Sequence, residues 1–234
     1  MNNDNISATD TAVSRTRRMP AEWEPSGAVL IAWPHADTDW AYMLDEVTRC
    51  YCDIARAITD SGSILIVVAP DISIPKKYLA DIDRSRILFC QVTTNDTWAR
   101  DFGPITVVDG DNGIRLVDFC FNGWGLKFAA CLDNLITSKL SRAGVFRAPL
   151  DNRLGFVLEG GSIESDGRGT ILTTSECLLS PNRNGDLSRR HIEDYLRESL
   201  GADRILWVDH GYLAGDDTDS HIDTLARLAP DDTI

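Results

Sequence analysis

No stretch of this chain stays apolar over the roughly 20 residues that a membrane-spanning helix needs, so no membrane association is expected. No basic run appears either. Asp and Glu number 36 against 23 Lys and Arg, for a net charge of −13. A nucleic-acid partner calls for the reverse balance and is not expected. The first 18 residues, MNNDNISATDTAVSRTRR, are polar and lack the apolar segment of a secretory signal. They read as a disordered lead-in over 1–18, with 19–234 as the folded domain, and the chain reads as cytoplasmic. The six cysteines (Cys50, Cys52, Cys90, Cys120, Cys131, Cys177) lack zinc-site spacing. Most lie in apolar runs such as RILFCQV and VDFCF, which predicts buried, reduced core thiols. The HExxH zinc pattern is missing too.

What is present is the composition of a globular protein, 43% hydrophobic and 25% charged, and long enough at 234 residues to bury a core. GAVLIAW (27–33), SILIVVAP (63–70) and RILFCQV (86–92) are short apolar runs that predict buried strands. Between the first two, Leu44, Val47, Tyr51, Ile54, Ala55 and Ile58 recur at helical spacing and Gly62 closes the run. A short helix is expected around 75–83. ITVVDGDNGIRLVDFCF (105–121) predicts a hairpin turning at 109–113, and SIESDGRGTILTTS (162–175) a second one turning at 166–169. Between them fall a helix at about 129–142 and strands VFRAPL (145–150) and FVLEGG (156–161). Asp186 or Ser188 caps a helix running to Leu200, Gly201 ends it, and RILWVD (204–209) follows as a strand. A further hairpin is expected to turn at Asp231-Asp232.

A polar cluster follows successive strands: Pro34-His35, Asn95-Asp96, Glu159-Gly160-Gly161 and His221-Ile222-Asp223. These clusters lie roughly 62 residues apart, which suggests radial repetition of a strand-rich unit, as in a propeller. Each unit would bring its cluster to a common axis. A plain α/β sandwich with coincidental spacing accounts for the same elements. Only about three and a half units fit in the chain, and the open edge strands of such a ring would invite homo-oligomerisation.

In NDTWARDFG (95–103), Asp96 and Asp101 flank Trp98 and Arg100. The structural reading is a turn in which Arg100 pairs with a carboxylate and Trp98 packs. The functional reading is a carboxylate aimed at a cation, with an aromatic face adding about 0.5–2 kcal/mol. Glu159 follows an apolar run and precedes two glycines that let backbone approach closely. GDDTDSHIDT (215–224) crowds four aspartates around His221. As a calcium loop it lacks the closing Glu, and as a transition-metal site it lacks a second nearby His. A solvated loop accounts for Asp216 and Asp217, but not for His221-x-Asp223 ahead of apolar Leu225. On a strand, His221 and Asp223 would share one face. Asp96, Glu159, His221 and Asp223 at one axis would be a costly cluster of like charges unless a cation sits among them.

The stretches MPAEWEPSGAVLIAWP, NDTWARDFGP, FNGWG, LEGGSIESDGRGTILTTSECLLSPNRN and GDDTDSHID occur in order from Met19 to Asp223. In them the chain resembles the agmatine deiminases and the related Porphyromonas-type peptidylarginine deiminases of the guanidine-modifying superfamily. The resemblance implies an α/β fold, a five-bladed pseudo-symmetric α/β propeller (the pentein fold), of which about three and a half blades would be present. It implies hydrolysis of agmatine to N-carbamoylputrescine and ammonia through a cysteine thiolate, without metal or organic cofactor. By motif, Asp96 and Asp223 would bind the guanidinium with Trp98 beside them. His221 would serve as acid and base, held by Glu159.

The sequence departs from the family in two places. The family's nucleophile lies in a Gly-rich stretch ending His-Cys, which these 234 residues lack, and Cys177 matches a position that is not the nucleophile. The implied chain is therefore C-terminally truncated, without the last blades and the nucleophilic Cys. Ser220 stands where the family carries Gly. Three other readings remain: a remnant that only binds guanidinium compounds, a peptidylarginine deiminase, and a metal-dependent hydrolase built on His221 and aspartates.

Overall fold

The computed structural model describes residues 17–110, 113–185, 187–211 and 213–234. Its elements, in chain order, are β1 (Arg17–Arg18), β2 (Ala28–Ala32), α1 (Leu44–Asp60), β3 (Ile64–Ala69), α2 (Ser73–Tyr78), β4 (Ile87–Gln91), α3 (Ala99–Phe102), β5 (Ile105–Asp109), β6 (Gly113–Cys120), α4 (Gly123–Leu126), α5 (Ile136–Arg142), β7 (Leu150–Val157), β8 (Ile163–Ser165), β9 (Thr170–Thr174), α6 (Ser175–Leu178), α7 (Pro181–Asn184), α8 (Arg189–Leu200) and β10 (Arg204–Val208).

The strands form three sheets. The first is parallel throughout, in the order β2-β3-β4. Its central strand is covered on both faces, which is why ILIVVA is an unbroken apolar run and not an alternating one. Leu65, Val67 and Ala69 face a cluster with Ile31 and Ala55 of α1, while Ile66 and Val68 pack with Phe102, Phe121, Trp124 and Leu140. The second sheet runs β1-β5-β6-β7, with β5-β6 an antiparallel hairpin and β6-β7 parallel. The third runs β10-β9-β8, with β8-β9 a hairpin and β9-β10 parallel. One core fills the space between these two sheets and α8, from Val107 and Phe119 to Ile171, Ile192 and Leu196.

Helix ends follow local chemistry. Ser188 caps α8 by accepting the His191 N–H, and Gly201 ends it in the left-handed region at φ 72°. A Cβ at Gly201 would stand 2.1 Å from the Arg17 carbonyl, so the residue is required for packing as well as for the turn. Asp186, the other cap named from sequence, lies outside the described residues.

The mixed α/β class is observed. Three sheets are seen, with no closed ring among the described residues. Several expectations are corrected. Arg17 and Arg18, placed in the lead-in, form a strand pairing with Asp109 and Val108, helped by an Arg17–Asp109 ion pair at 3.2 Å. Residues 1–16 lie outside the described residues. The helix expected from 129 begins only at a 3₁₀ turn, Asp133–Leu135. The two strands expected at 145–150 and 156–161 are one strand, β7, whose pairing with β6 shifts register at Phe119/Cys120. Cys50 and Cys131 are exposed, so not all the thiols belong to the core. His221-x-Asp223 is not on a strand; Ile222–Thr224 is a 3₁₀ turn. At the end, Asp231 and Asp232 both take positive φ and Ala229 bridges Thr233, a tight reversal where one was expected. Among the described residues no helix is long and apolar enough to cross a membrane.

Candidate active site

Each polar cluster follows the end of a strand: Asp96 after β4, Glu159 after β7, and the 215–224 loop after β10. Glu159 is fully buried. Its Oε1 accepts the Trp124 N–H at 2.8 Å, and its Oε2 accepts Arg183 Nη2 at 2.6 Å and Nε at 3.0 Å. The same Oε2 lies 2.9 Å from His221 Nε2. Burial would raise the Glu159 pKa, but the His221 hydrogen bond and the Arg183 charge outweigh it and hold the carboxyl below its ordinary value.

His221 is 1% exposed. Its Nδ1 lies 3.6 Å from Asp101 Oδ1, so the ring sits between two carboxylates. Burial opposes its charge, yet hydrogen bonding with Cys177 and Glu159 and the negative charge of Asp101 raise its pKa to about 10. A pKa so far above neutrality favours the imidazolium at pH 7, a form that can donate a proton.

Asp101 is buried and fixed at both oxygens. Oδ1 accepts the Gly161 N–H at 2.8 Å and Oδ2 accepts Trp124 Nε1–H at 2.9 Å. Asp223 completes the group. Its Oδ2 would lie 2.8 Å from a Cβ at Gly161, as would Asp101 Oδ1, with His221 Nδ1 at 2.5 Å. Any side chain at 161 would fill the space that these three groups share. Gly160 has another duty, since its own Cβ would meet the Arg100 carbonyl at 2.0 Å. Burial and the nearby Asp101 raise the Asp223 pKa, while His221, Arg100 and Arg227 oppose that rise.

The structure therefore brings together Glu159, His221 and Asp223 of the residues named from sequence, but not Asp96. Asp96 Oδ1 accepts the Thr97 N–H at 2.7 Å and Oδ2 accepts the Asp39 N–H at 3.2 Å. Asp101, five residues on, occupies the place beside His221. Spacing alone could not separate these two carboxylates; the turn of α3 decides which one points to the imidazole. Trp98, 39% exposed, stands between Trp40 and Trp124 with ring centroids 5.6 and 6.2 Å away. Arg183 was also missed. It is fully buried, bonded to Glu159 and to the carbonyls of Cys177 and Thr218, and its only sequence signal is the SPNRN stretch.

The four aspartates of the acidic loop have separate roles. Asp216 folds the loop by accepting the Thr218 N–H and Oγ1–H at 2.7 and 2.5 Å and the Ser220 N–H at 2.7 Å. Asp219 pairs with Lys127 at 2.8 Å. Asp217 contributes its negative charge near Asp39, and Asp223 faces the site. With Arg183 committed to Glu159, Asp101 and Asp223 lie beside the His221 imidazolium, with the Arg100 guanidinium 4.0 Å from Asp223 Oδ2. A buried, charged histidine flanked by two such carboxylates on an α/β frame is an arrangement that can take a cation and move protons beside it.

Sequence comparison gives that arrangement a family. The chain belongs to the Porphyromonas-type peptidyl-arginine deiminase family, whose sequence model matches residues 18–234. It is 37% identical over 211 residues to the agmatine deiminase of Stutzerimonas stutzeri, covering 88% of this chain and 56% of that protein. Among solved structures, a cysteine-to-serine variant of C. jejuni agmatine deiminase with substrate bound superposes with a TM-score of 0.84 at 37% identity, covering 91% of this chain and 62% of that one. A Porphyromonas gingivalis protein described as a candidate arginine deiminase superposes equally well at 53% identity, again over 91% and 62%. The chain thus spans about three fifths of the length of the proteins it matches.

Proposed function

We propose that the whole protein is an agmatine deiminase-type hydrolase, releasing ammonia from agmatine to leave N-carbamoylputrescine, a reaction that belongs to polyamine synthesis. The observation that carries this reading is His221, held at 2.9 Å by Glu159 and faced by Asp101 and Asp223 around the open Cα of Gly161. Two carboxylates can hold a planar guanidinium by paired hydrogen bonds. A thiolate then adds to its central carbon. His221 gives its proton to the departing nitrogen, and ammonia leaves a thioether-linked amidine. Water attacks the same carbon, His221 takes the proton back, and the carbon–sulfur bond breaks to give the ureido product.

None of the six cysteines is assigned that attack. Cys177 shares a hydrogen bond with His221 but is completely buried, and its context is not the nucleophile's. The thiolate, with the remaining blades of a five-bladed propeller, would belong to the part of the protein beyond these 234 residues. Asp96 loses the guanidinium role expected of it, and this reading gives it the other end of the substrate instead. Asp39 and Asp96 are in contact and Asp217 adds its charge to theirs. An ammonium would balance these charges, which favours agmatine over peptidylarginine, whose corresponding end is a neutral backbone.

The test is agmatine-dependent ammonia release by this chain beside the same chain extended to the next in-frame stop at its locus. The extended protein is expected to turn over. In it, Asp101→Asn should lower kcat/KM by on the order of 100-fold. Asp96→Asn should raise KM about tenfold for agmatine and leave a peptidylarginine unaffected. Turnover by the 234 residues alone, abolished by Cys177→Ser, would overturn the assignment of the nucleophile.

A further inference from the structure

Asp223 is faced by Asp101, His221, Arg100 and Arg227. Asp101 and Glu159 are pinned by N–H donors, whereas Asp223 meets the Arg100 guanidinium, whose Nε lies 4.0 Å from its Oδ2. That guanidinium is itself held from several sides. Nη2 donates to the Ile163 carbonyl at 3.2 Å and lies 3.5 Å from Glu164 Oε1, while Nη1 pairs with Glu22. Glu164, almost fully buried on β8, also takes Arg227 Nε at 2.6 Å and the Leu228 N–H at 3.4 Å. Arg227 returns to Glu22 at 3.4 Å. Behind, the Arg100 carbonyl is packed against Gly160. The network ties together the N-terminal segment, α3, β8 and the chain after Asp223.

We infer that Arg100 is a positioning residue for Asp223: its guanidinium, locked by Glu164 and Glu22, holds the Asp223 carboxylate toward the space over Gly161 that it shares with Asp101 and His221, and keeps it an anion. The inference rests on the proposed reading of the site as a guanidinium binder. A neutral acid would offer a cation little. Burial and the neighbouring Asp101 both push Asp223 toward the neutral form, so fixed positive charge must oppose them. His221 cannot do so throughout, because it loses its proton in mid-reaction. An arginine stays charged, and its planar fork can meet Glu164, the Ile163 carbonyl and Asp223 in one geometry. The second ion pair, Arg227–Glu164, leaves Glu164 satisfied without drawing Arg100 away.

The experiment is a carboxyl-carbon NMR titration of Asp223 in the purified chain, its signal identified by loss in Asp223→Asn, run alongside agmatine binding followed by tryptophan fluorescence. Arg100→Gln should raise the Asp223 midpoint by about one pH unit, with Arg100→Lys in between and Arg227→Gln giving a smaller rise. Agmatine binding by Arg100→Gln should weaken more in acidic than in alkaline buffer. An unchanged midpoint, or binding lost equally at every pH, would overturn the inference. If the unaltered chain binds no agmatine, the guanidinium-site reading fails, and the Asp223 midpoint still decides what Arg100 does. If Arg100→Gln does not fold, the Lys variant and Arg227→Gln decide by the same measure.

Discussion

Glu159 serves two cations through one oxygen, and this makes it the most consequential carboxylate in the molecule. Removing it would leave Arg183 buried and unpaired, at a cost of roughly 3–5 kcal/mol. The milder Glu159→Gln tests the electrostatics. The folded pKa of His221, about 10, lies above its ordinary 6.5, so the folded state holds the proton more tightly. The stability this contributes is fully present below about pH 6.5 and is lost as pH rises through about 10. Urea midpoints measured across that window should fall with pH in the unaltered chain and fall less in Glu159→Gln. Asp118 has the opposite sign. It is buried on β6, one of its oxygens is unpartnered, and burial raises its pKa to about 6. Ionising it above that pH costs the folded state. Asp118→Asn should therefore stabilise the fold at pH 8 by on the order of 1–3 kcal/mol, read as a higher Tm, and change it little at pH 4.

At the scale of elements, the acidic loop delivers the histidine. Asp219 and Ser220 both lie in the left-handed region, at φ 58° and 63°. They are kept there by Asp216, by Arg183 on the Thr218 carbonyl, and by Thr174 Oγ1 on the Ser220 carbonyl. A serine at such a φ is strained where glycine is not. Ser220→Gly should stabilise the chain by about 0.5–1 kcal/mol, read as a higher denaturation midpoint. Asp216→Ala should cost about 1–3 kcal/mol and loosen His221 with it, because three donors lose their acceptor. Amide exchange at Thr218 and Ser220 would show this directly. A second clasp shapes the Asp96 turn. Buried Asp133 accepts the Asn95 and Asp96 N–H groups at 2.6 and 3.1 Å, and Asn95 Oδ1 accepts the Leu132 N–H at 2.7 Å.

At the scale of the whole molecule, the site exists only where the sheets meet. Asp101, Glu159 and His221 lie about 60 residues apart in sequence, on connections that leave different sheets. Most strands were legible because their apolar runs are bounded by Gly, Pro or Asp, as in GAVLIAWP and SILIVVAP. β1 was not, because two arginines carry no strand pattern; long-range pairing and the Asp109 ion pair make it one. β7 was split in two because its middle, NRLG, is polar and pairs across an irregular register.

The residues themselves determined that the chain would form α/β units with polar clusters at the ends of strands, that Glu159, His221 and Asp223 belong together, and which family the motifs match. Those are consequences of local apolar pattern and of short-range motif, which a linear order of residues carries. Tertiary structure decided that Asp101 and not Asp96 faces the imidazole, that Arg183 neutralises Glu159, and that His221 and Asp223 meet through a 3₁₀ turn and not along a strand. Each of these depends on the direction in which a side chain leaves a short turn, and on charges brought together from distant segments. Their energies come from burial and from distances of a few ångströms, which arise only once the sheets have packed.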